Sequence, residues 1–238
     1  MILRVFRWSP ETAAERFDGF RVEPGEGTTV LDALVHLRET VAPDLAFRYA
    51  CRVGMCGSCA MVVDRRERWA CRTRLLAIAR PGVSVTVRPL YHFPLIRDLV
   101  VDMAPFVRRM RAVGAAFVPR DPTATEPARI PAGSAERMVI DPAIECIGCG
   151  ACVSACTMVR WDPAFPGPAV LNRALTLLVD SRDAGAAARW AAVFGEDGVF
   201  RCHGQAQCTA VCPMELSPAD SILHLRRKAA RSLFFLRT

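Results

Sequence analysis

The chain has 238 residues, 11 of them cysteines, and a formal charge of +7 from 31 Lys+Arg and 24 Asp+Glu side chains. Its composition of 52% hydrophobic and 23% charged residues excludes a disordered chain, and the lack of any sustained glycine or apolar period excludes collagen-like and coiled-coil proteins. Because the cysteine count is odd, complete internal disulfide pairing would leave one thiol over.

The start of the chain does not resemble a secretory signal, since charged side chains interrupt it throughout: Arg4, Arg7, Glu11, Glu15 and Arg16. The sequence also contains no run of 18 apolar residues that could span a membrane. We therefore expect a chain without a transmembrane segment in a reducing compartment, where many cysteines indicate metal ligation rather than disulfides.

The N-terminal part has the pattern of a small α+β domain. A helix is predicted after an N-cap at Thr28 or Thr29, with Leu31, Leu34 and Val35 on its apolar face. Leu37 falls off that face, which predicts a short helix that ends before Pro43. Alternating or β-branched segments predict strands at residues 2–8, 17–22, 61–63 and 83–87.

The rest of the chain is predicted to be mostly helical. Residues 97–113 have a helical pattern with a kink or break at Pro105, and residues 118–134 are rich in proline, as linkers are. Further helices are expected to begin at Pro168 and, with Ser217 as the N-cap, at Pro218. We place the domain boundary between residues 1–104 and residues 105–238.

The first group of cysteines has the plant-type spacing of a [2Fe–2S] cluster, with ligands Cys51, Cys56, Cys59 and Cys71. Gly54 and Gly57 suit such a loop, because glycine permits tight turns and lets backbone amides approach the sulfurs. The alternative is a structural zinc site, which more often uses two Cys-x2-Cys pairs.

The later cysteines form an internal repeat. The run Cys146-x2-Cys149-x2-Cys152-x3-Cys156 aligns without gaps on Cys202-x2-Gln205-x2-Cys208-x3-Cys212, and the two runs differ at one ligand position. Both resemble the run of bacterial two-cluster ferredoxins, in which the fourth cysteine of each run ligates the other cluster.

Crossing the runs in this way gives two different sites. Four thiolates, from Cys146, Cys149, Cys152 and Cys212, suit a [4Fe–4S] cube. The other three, from Cys156, Cys202 and Cys208, suit a [3Fe–4S] cluster, because the amide of Gln205 is a poor substitute for a thiolate. The alternative is a cube whose fourth iron binds water or substrate in a Lewis-acid enzyme. With the three-thiolate site, all eleven cysteines are ligands.

Several clusters without a flavin or nucleotide motif indicate a chain that conducts electrons between partners. No Gly-x-Gly-x-x-Gly follows a strand, and there is no Walker motif. A zinc-bound nucleic-acid module is the alternative from another class, but the basic-aromatic interleaving of such modules is absent, so we expect no nucleic-acid partner. A redox adaptor for some other flavoprotein is a third possibility.

The chain resembles the iron–sulfur subunit of the succinate dehydrogenase/fumarate reductase (succinate:quinone oxidoreductase) family over nearly its whole length. The resemblance rests on the cysteine runs and on Ala42-Pro43-Asp44-Leu45, Arg97-Asp98-Leu99-Val100-Val101-Asp102-Met103, Gly167-Pro168-Ala169, Asp180-Ser181-Arg182-Asp183 and the segment from Cys208 to Pro213.

This resemblance implies an α+β chain, with an N-terminal β-grasp domain for the [2Fe–2S] cluster and a C-terminal all-helical ferredoxin domain for the other two. It implies a partner flavoprotein subunit with FAD, and membrane anchor subunits with a quinone site. The chain itself would have no catalytic residue and no dicarboxylate site. The complex would lie at the cytoplasmic face of the inner membrane, with this chain peripheral.

The resemblance also assigns two residues to the vicinity of the quinone. Trp161 matches the tryptophan five residues after the first [3Fe–4S] cysteine, and its indole N–H could donate to a quinone carbonyl. His203 directly follows a cluster cysteine and could tune the cluster potential or relay a proton. The alternatives are a core or interface tryptophan and a histidine that only packs near the cluster.

Two positions depart from the family pattern. Thr157 stands after Cys156 where the family usually has proline, and Gln205 stands where members with a [3Fe–4S] cluster commonly have an apolar residue. Succinate oxidation is the main interpretation, favoured by Trp161 and His203. Fumarate reduction is the alternative, favoured by Ala42-Pro43-Asp44-Leu45.

Overall fold

A computed structural model describes residues 1–235, and the side chains of residues 1–231. Its strands are β1 (Ile2–Arg7), β2 (Arg16–Arg21), β3 (Ala60–Val63), β4 (Arg66–Trp69), β5 (Val85–Arg88), β6 (Leu95–Arg97) and β7 (Val100–Val101). Its helices are α1 (Val30–Thr40), α2 (Leu75–Ile78), α3 (Ala104–Ala112), α4 (Ala135–Ile144), α5 (Ala151–Ser154), α6 (Thr157–Trp161), α7 (Pro168–Val179), α8 (Ala186–Phe194), α9 (Gln207–Ala210) and α10 (Pro218–Phe235).

The chain divides into two compact units. The first contains Met1–Met103 together with Ile147–Ala155, and the second contains Ala104–Cys146 and Cys156 onward. The first unit therefore includes α5 and two cysteines of the second run, Cys149 and Cys152. The boundary between residues 104 and 105 stays a prediction.

The first unit is built on a five-stranded mixed sheet in the order β2-β1-β5-β3-β4. The central pair β1 and β5 is parallel and the other neighbours are antiparallel. Alternation on β5 buries Val85 and Val87, as the sequence pattern predicts, whereas Val83 lies outside the strand and is exposed. Parallel central strands and helix α1 make this a β-grasp arrangement, which confirms the α+β prediction for this part of the chain.

Helix α1 begins at a capping box. The Thr29 side chain accepts a hydrogen bond from the Asp32 N–H, and the Asp32 carboxylate accepts one from the Thr29 N–H. The prediction for Leu37 is wrong: it is 2% exposed and shares the buried face with Val30, Ala33 and Leu34, while Val35 is only half-buried. The i, i+3, i+4, i+7 spacing of these four side chains carries the helix to Thr40.

The predicted helix over residues 97–113 is wrong in its first half. Residues 95–101 form the β6–β7 hairpin, and the helix α3 begins only at Ala104, so that Pro105 lies in its first turn rather than at a break. Asp98 explains the difference, because its buried carboxylate accepts the Trp8 N–H at 3.0 Å and the Ala46 N–H at 2.9 Å. Asp98 lies in the turn between β6 and β7 with a φ of +45°, and these tertiary hydrogen bonds hold that turn against two distant segments of the chain.

Arg7 joins separate parts of the first unit. Its guanidinium donates to Asp98 Oδ1 from Nε at 3.1 Å, to Asp18 Oδ2 from Nη1 at 3.1 Å, and to the Asp44 carboxylate. Burial would lower the pKa of Arg7, but the Asp98 and Asp44 carboxylates raise it above its ordinary value. Asp44 and Asp98, from two of the family segments, thus have a structural function.

A buried polar relay attaches α5 to the sheet within the first unit. The Ser154 hydroxyl donates to Glu67 Oε1 of β4 at 2.7 Å and accepts the Tyr91 N–H at 2.9 Å. Glu67 and Ser154 are both buried, and the bond between them gives the carboxylate a donor and the hydroxyl proton an acceptor. The relay fixes the segment that presents Cys149 and Cys152.

The second unit is helical, as predicted. Its core follows α7, which begins with Pro168 at its first position and buries Val170, Leu171, Ala174 and Leu175. A buried guanidinium, Arg189, binds the Asp183 carboxylate and the carbonyls of Gly114 at 2.7 Å and Ala116 at 2.6 Å. The two bonds to carbonyls attach the segment after α3 to α8.

Among residues 1–235, no helix is both long enough and apolar enough to cross a bilayer. The bulky apolar residues near the C-terminus lie outside the residues whose side chains the structure describes: Leu233, Phe234, Phe235 and Leu236.

Candidate iron–sulfur sites

The first cysteine loop turns tightly around the Cys51 sulfur. Cys51 Sγ accepts the N–H groups of Met55 and Cys56, both at 3.3 Å. The turn needs positive φ at Gly54 (+78°) and Gly57 (+70°), and also at Arg52 (+61°). Backbone N–H groups that converge on a cysteine sulfur are the donors that stabilise and tune an Fe–S cluster, so this loop fits the predicted ligand set.

The four thiols of this group have contrasting environments. Hydrogen bonds from Ser58 and from the loop backbone lower the pKa of the exposed Cys56 to about 6. Burial raises the pKa of Cys59 to about 12, and the neighbouring Cys71 thiol adds to the effect. Cys56 is therefore at the solvent side of the group, whereas Cys59 and Cys71 are the buried side.

Gly57 brings the first cysteine loop against the second run. A Cβ atom at Gly57 would lie 2.6 Å from the Cys149 Cβ and 3.1 Å from the Ile147 Cδ1, so no larger residue fits there. A cavity of about 210 Å³ lies beside this contact and is lined by Cys56, Gly57, Ser58, Gly148 and Cys149 among others. Residues from two predicted cluster sites are therefore direct neighbours within the first unit.

The internal repeat extends to the backbone. Gly148 and Gly204 occupy equivalent positions with φ of +66° and +71°, and Gly150 and Ala206 follow with φ of +83° and +57°. In the first run Gly150 directly precedes the four-residue helix α5, and in the second run Ala206 directly precedes the four-residue helix α9. The carbonyls of Gly150 and Ala206 accept the first hydrogen bonds of these helices. Ala206 keeps the left-handed conformation although it has a Cβ, which indicates that the run's geometry requires it.

Cys156, Cys202 and Cys208 all lie in the second unit, near enough for their charges to act on one another. Burial and the charges of the other two thiols raise the pKa of Cys208 to about 11. Burial likewise raises the pKa of Cys156, while the Val159 and Met158 N–H groups donate to its sulfur and oppose the shift. Three clustered thiols with amide donors fit a ligand set of one cluster.

Arg109 is a member of this site that the sequence interpretation missed. It lies in α3, half-buried, and its charge acts on Cys156 to lower the thiol's pKa. Burial lowers the pKa of Arg109 itself, and the charges of Asp162 and Cys156 oppose that. Its Nη2 donates to the Pro163 carbonyl at 3.1 Å. No local motif could identify it, because 46 residues separate it from Cys156.

The remaining predicted ligands are placed at helix ends. Cys146 follows the C-terminal end of α4, and Cys212 follows α9 with its N–H donated to the Thr209 carbonyl at 3.2 Å. None of the eleven cysteines, all within the described part of the chain, forms a disulfide. Over the same residues, no three His, Cys, Asp or Glu side chains converge on a site for a single metal ion.

The two residues assigned to the quinone vicinity are both exposed in the second unit. Trp161 ends α6 with 74% of its surface exposed, and the Arg160 guanidinium lies 5.4 Å from its ring centroid. A tryptophan this exposed is not a core residue, which removes one of the alternatives for it. His203 is also exposed, next to Cys202.

Comparison with known proteins agrees with this arrangement. A family model described as a 2Fe-2S iron-sulfur cluster binding domain matches residues 2–108, and one described as a 4Fe-4S dicluster domain matches residues 142–216. The fumarate reductase iron-sulfur subunit of Escherichia coli O6:H1 is 35% identical over 92% of this chain and 89% of its own. The chain belongs to the family of succinate dehydrogenase/fumarate reductase iron–sulfur subunits.

Other relatives are succinate dehydrogenases. The mitochondrial succinate dehydrogenase [ubiquinone] iron-sulfur subunit 1 of Oryza sativa subsp. japonica is 34% identical over 92% of this chain and 78% of its own. A chain of the Mycobacterium smegmatis Sdh1 complex in the apo form has a TM-score of 0.88 at 28% identity, covering 98% of this chain and 96% of that one. The protein is thus an electron-transfer iron–sulfur subunit of a succinate dehydrogenase/fumarate reductase complex, as the sequence predicts.

Proposed function

We propose that this subunit conducts electrons through three clusters between a flavoprotein subunit that carries FAD and a quinone held by membrane anchor subunits. The [2Fe–2S] cluster is held by Cys51, Cys56, Cys59 and Cys71, the [4Fe–4S] cluster by Cys146, Cys149, Cys152 and Cys212, and the [3Fe–4S] cluster by Cys156, Cys202 and Cys208. The clusters supply the one-electron chemistry, while the chain binds them and sets their potentials.

The close approach of Gly57 to Cys149 carries this proposal. A cluster in the first loop and a cluster on the second run would be neighbours, because the two ligand loops are in van der Waals contact at that glycine. An electron relay needs such short separations between successive centres. A lone structural metal site in either loop would not need them.

The surroundings of the third site support a [3Fe–4S] cluster as the last centre before the quinone. Cys156, Cys202 and Cys208 act electrostatically on one another, and Gln205 takes the place of a fourth cysteine in a backbone equivalent to that of Cys149. An amide oxygen is a poor iron ligand beside thiolates, which favours a three-iron cluster. The exposed Trp161 and His203 lie in the same unit and suit an apolar quinone with polar carbonyls.

We place the complex at the cytoplasmic face of the inner membrane, with this subunit as a peripheral membrane protein. The relatives include both fumarate reductases and a ubiquinone-linked succinate dehydrogenase. Succinate oxidation is our main proposal and fumarate reduction the alternative. The segment that favours the latter contains Asp44, whose carboxylate binds Arg7.

Rapid mixing of the purified complex tests the electron path. Succinate should reduce the [2Fe–2S] cluster, and a quinone analogue should then reoxidise all three clusters; in the alternative direction, quinol should reduce them and fumarate reoxidise them. Clusters that respond to neither dicarboxylate would overturn the proposal.

Trp161 tests the quinone end of the path. Replacing Trp161 by Phe keeps an apolar ring but removes the N–H donor, which should raise the KM for quinone about tenfold, the equivalent of one hydrogen bond. The matched control is Trp190→Phe, since Trp190 packs against Phe194 in the same unit, with 4.3 Å between the ring centroids. Equal effects of the two substitutions, or a changed cluster spectrum, would contradict the quinone assignment.

A further inference from the structure

A side-chain hydrogen bond joins the two positions at which this chain departs from its family. The Thr157 hydroxyl donates to the Gln205 amide oxygen Oε1 at 2.7 Å. Thr157 directly follows Cys156, and Gln205 lies midway between Cys202 and Cys208. The bond therefore links the two chain segments that supply the three thiolates of the proposed [3Fe–4S] site.

Gln205 is the side chain best placed to act as a fourth ligand. Its backbone neighbours repeat those of Cys149: a left-handed glycine precedes each, at Gly148 and Gly204, and a left-handed residue that opens a short helix follows each. Its Oε1 carries lone pairs that can bind a ferrous ion, although more weakly than a thiolate does. A [3Fe–4S] cluster is a cube that lacks the iron at one corner, here called the open corner. Whether the Gln205 oxygen is available therefore decides whether an iron at the open corner has any protein ligand.

Thr157 is well placed to control that availability. As the first residue of α6 it needs no hydrogen bond from its own N–H, so proline would serve the backbone equally well. Threonine adds a hydroxyl, and this hydroxyl is engaged with Gln205 Oε1 rather than with the helix backbone.

We propose that Thr157 is a positioning residue that holds the Gln205 amide oxygen away from the open corner, so that the site takes up no fourth iron. The inference rests on the proposed function, because it presupposes a [3Fe–4S] cluster on Cys156, Cys202 and Cys208. The reaction that it prevents is cube formation. A reductant first supplies one electron to convert the [3Fe–4S]⁺ core to [3Fe–4S]⁰, and one Fe²⁺ then binds to give [4Fe–4S]²⁺ with no further electron transfer.

The test uses the assembled complex with wild-type, Thr157→Val or Thr157→Ser chains. Each sample is reduced anaerobically with dithionite, incubated with ferrous ion labelled with ⁵⁷Fe, freed of excess iron and reoxidised with a quinone analogue. The paramagnetic resonance signal of the oxidised [3Fe–4S] cluster and the bound ⁵⁷Fe are then measured. Thr157→Val should lose the signal and gain label severalfold faster than the wild type, whereas Thr157→Ser, which keeps the hydroxyl, should behave as the wild type does.

A double variant separates the released amide oxygen from general loosening of the site. Combining Thr157→Val with Gln205→Leu removes both the hydroxyl and the amide oxygen, and should restore resistance to iron uptake. The inference is overturned if Thr157→Val takes up iron no faster than the wild type, or if the double variant takes it up as fast as Thr157→Val alone. A wild-type complex with no oxidised [3Fe–4S] signal at the outset would instead refute the proposed function.

Discussion

Gln205 occupies a backbone position that repeats the position of Cys149. Replacing Gln205 by Cys should therefore convert the three-iron site to a cube, remove the oxidised [3Fe–4S] signal and slow quinone reduction about tenfold or more, because a fourth thiolate lowers the cluster's potential. Paramagnetic resonance of the oxidised complex, combined with quinone turnover, is the measurement.

The control for this substitution lies two residues further along the same run. Gln207 is exposed and does not align with a ligand of the first run, so Gln207→Cys should leave the oxidised signal in place. Unchanged spectra in Gln205→Cys would contradict the ligand assignment of the third site.

The charge of Arg109 acts on Cys156 and favours its thiolate. A half-buried cation also favours added negative charge on a neighbouring cluster. Replacing Arg109 by Gln should lower the midpoint potential of the [3Fe–4S] cluster by on the order of tens of millivolts. A redox titration followed by paramagnetic resonance measures this shift.

The neighbouring arginine is the matched control for Arg109. Arg108 is exposed on the same helix, where solvent screens its charge, and Arg108→Gln should leave the potential nearly unchanged. Equal shifts in the two variants would show that net charge, rather than the position of Arg109, sets the effect.

At the scale of elements, Arg7 ties β1 to β2, to the segment around Asp44 and to the hairpin β6–β7. Replacing Arg7 by Met would leave the buried Asp98 carboxylate without its guanidinium partner, which should lower the free energy of unfolding by about 3–5 kcal/mol. Urea denaturation of the assembled complex, followed by the visible circular dichroism of the [2Fe–2S] cluster, measures the loss.

Arg16 provides the control because it binds the same Asp18 carboxylate from an exposed position, at 3.0 Å. Replacing Arg16 by Met should cost less than about 1 kcal/mol, as is usual for a surface pair. Similar urea midpoints for the Arg7 and Arg16 variants would contradict the central function of Arg7.

The helices and strands are predictable from the sequence where they depend on a pattern of neighbouring residues. The cap at Thr29, the opening of α7 at Pro168 and the alternation of Val85 and Val87 all depend on neighbouring residues, and the structure confirms them. The helix predicted over residues 97–113 is wrong over its first residues, where the Asp98 carboxylate accepts backbone N–H groups about 50 and 90 residues away in the chain, which no local pattern records. The prediction for Leu37 fails because the buried face of α1 includes Val30 and Ala33 rather than Val35.

At the scale of the whole molecule, the cysteine spacing predicted the cluster sites because each run is continuous in sequence. Their surroundings were not predictable. Arg109, the contact of Gly57 with Cys149, and the bond between Thr157 and Gln205 each join residues far apart in the chain. Sequence spacing thus predicts ligands but says little about the side chains around them.

The net charge of the molecule follows from the clusters. The formal charge of +7 counts every cysteine as neutral, but metal-bound cysteine is deprotonated. Each oxidised cluster with its thiolates would carry about two negative charges, so the three proposed clusters would bring the loaded protein to roughly +1. On this proposal the basic composition compensates for the clusters and does not indicate a nucleic-acid partner.

The cluster inventory is the central claim, and stepwise reduction of the complex at low temperature, followed by paramagnetic resonance with iron analysis, tests it most directly. We predict a [3Fe–4S] signal in the oxidised state, a [2Fe–2S] signal on early reduction, and about nine iron atoms per chain, the total for the three clusters. An oxidised complex with no [3Fe–4S] signal and about ten iron atoms per chain would mean two cubes, and would contradict the account.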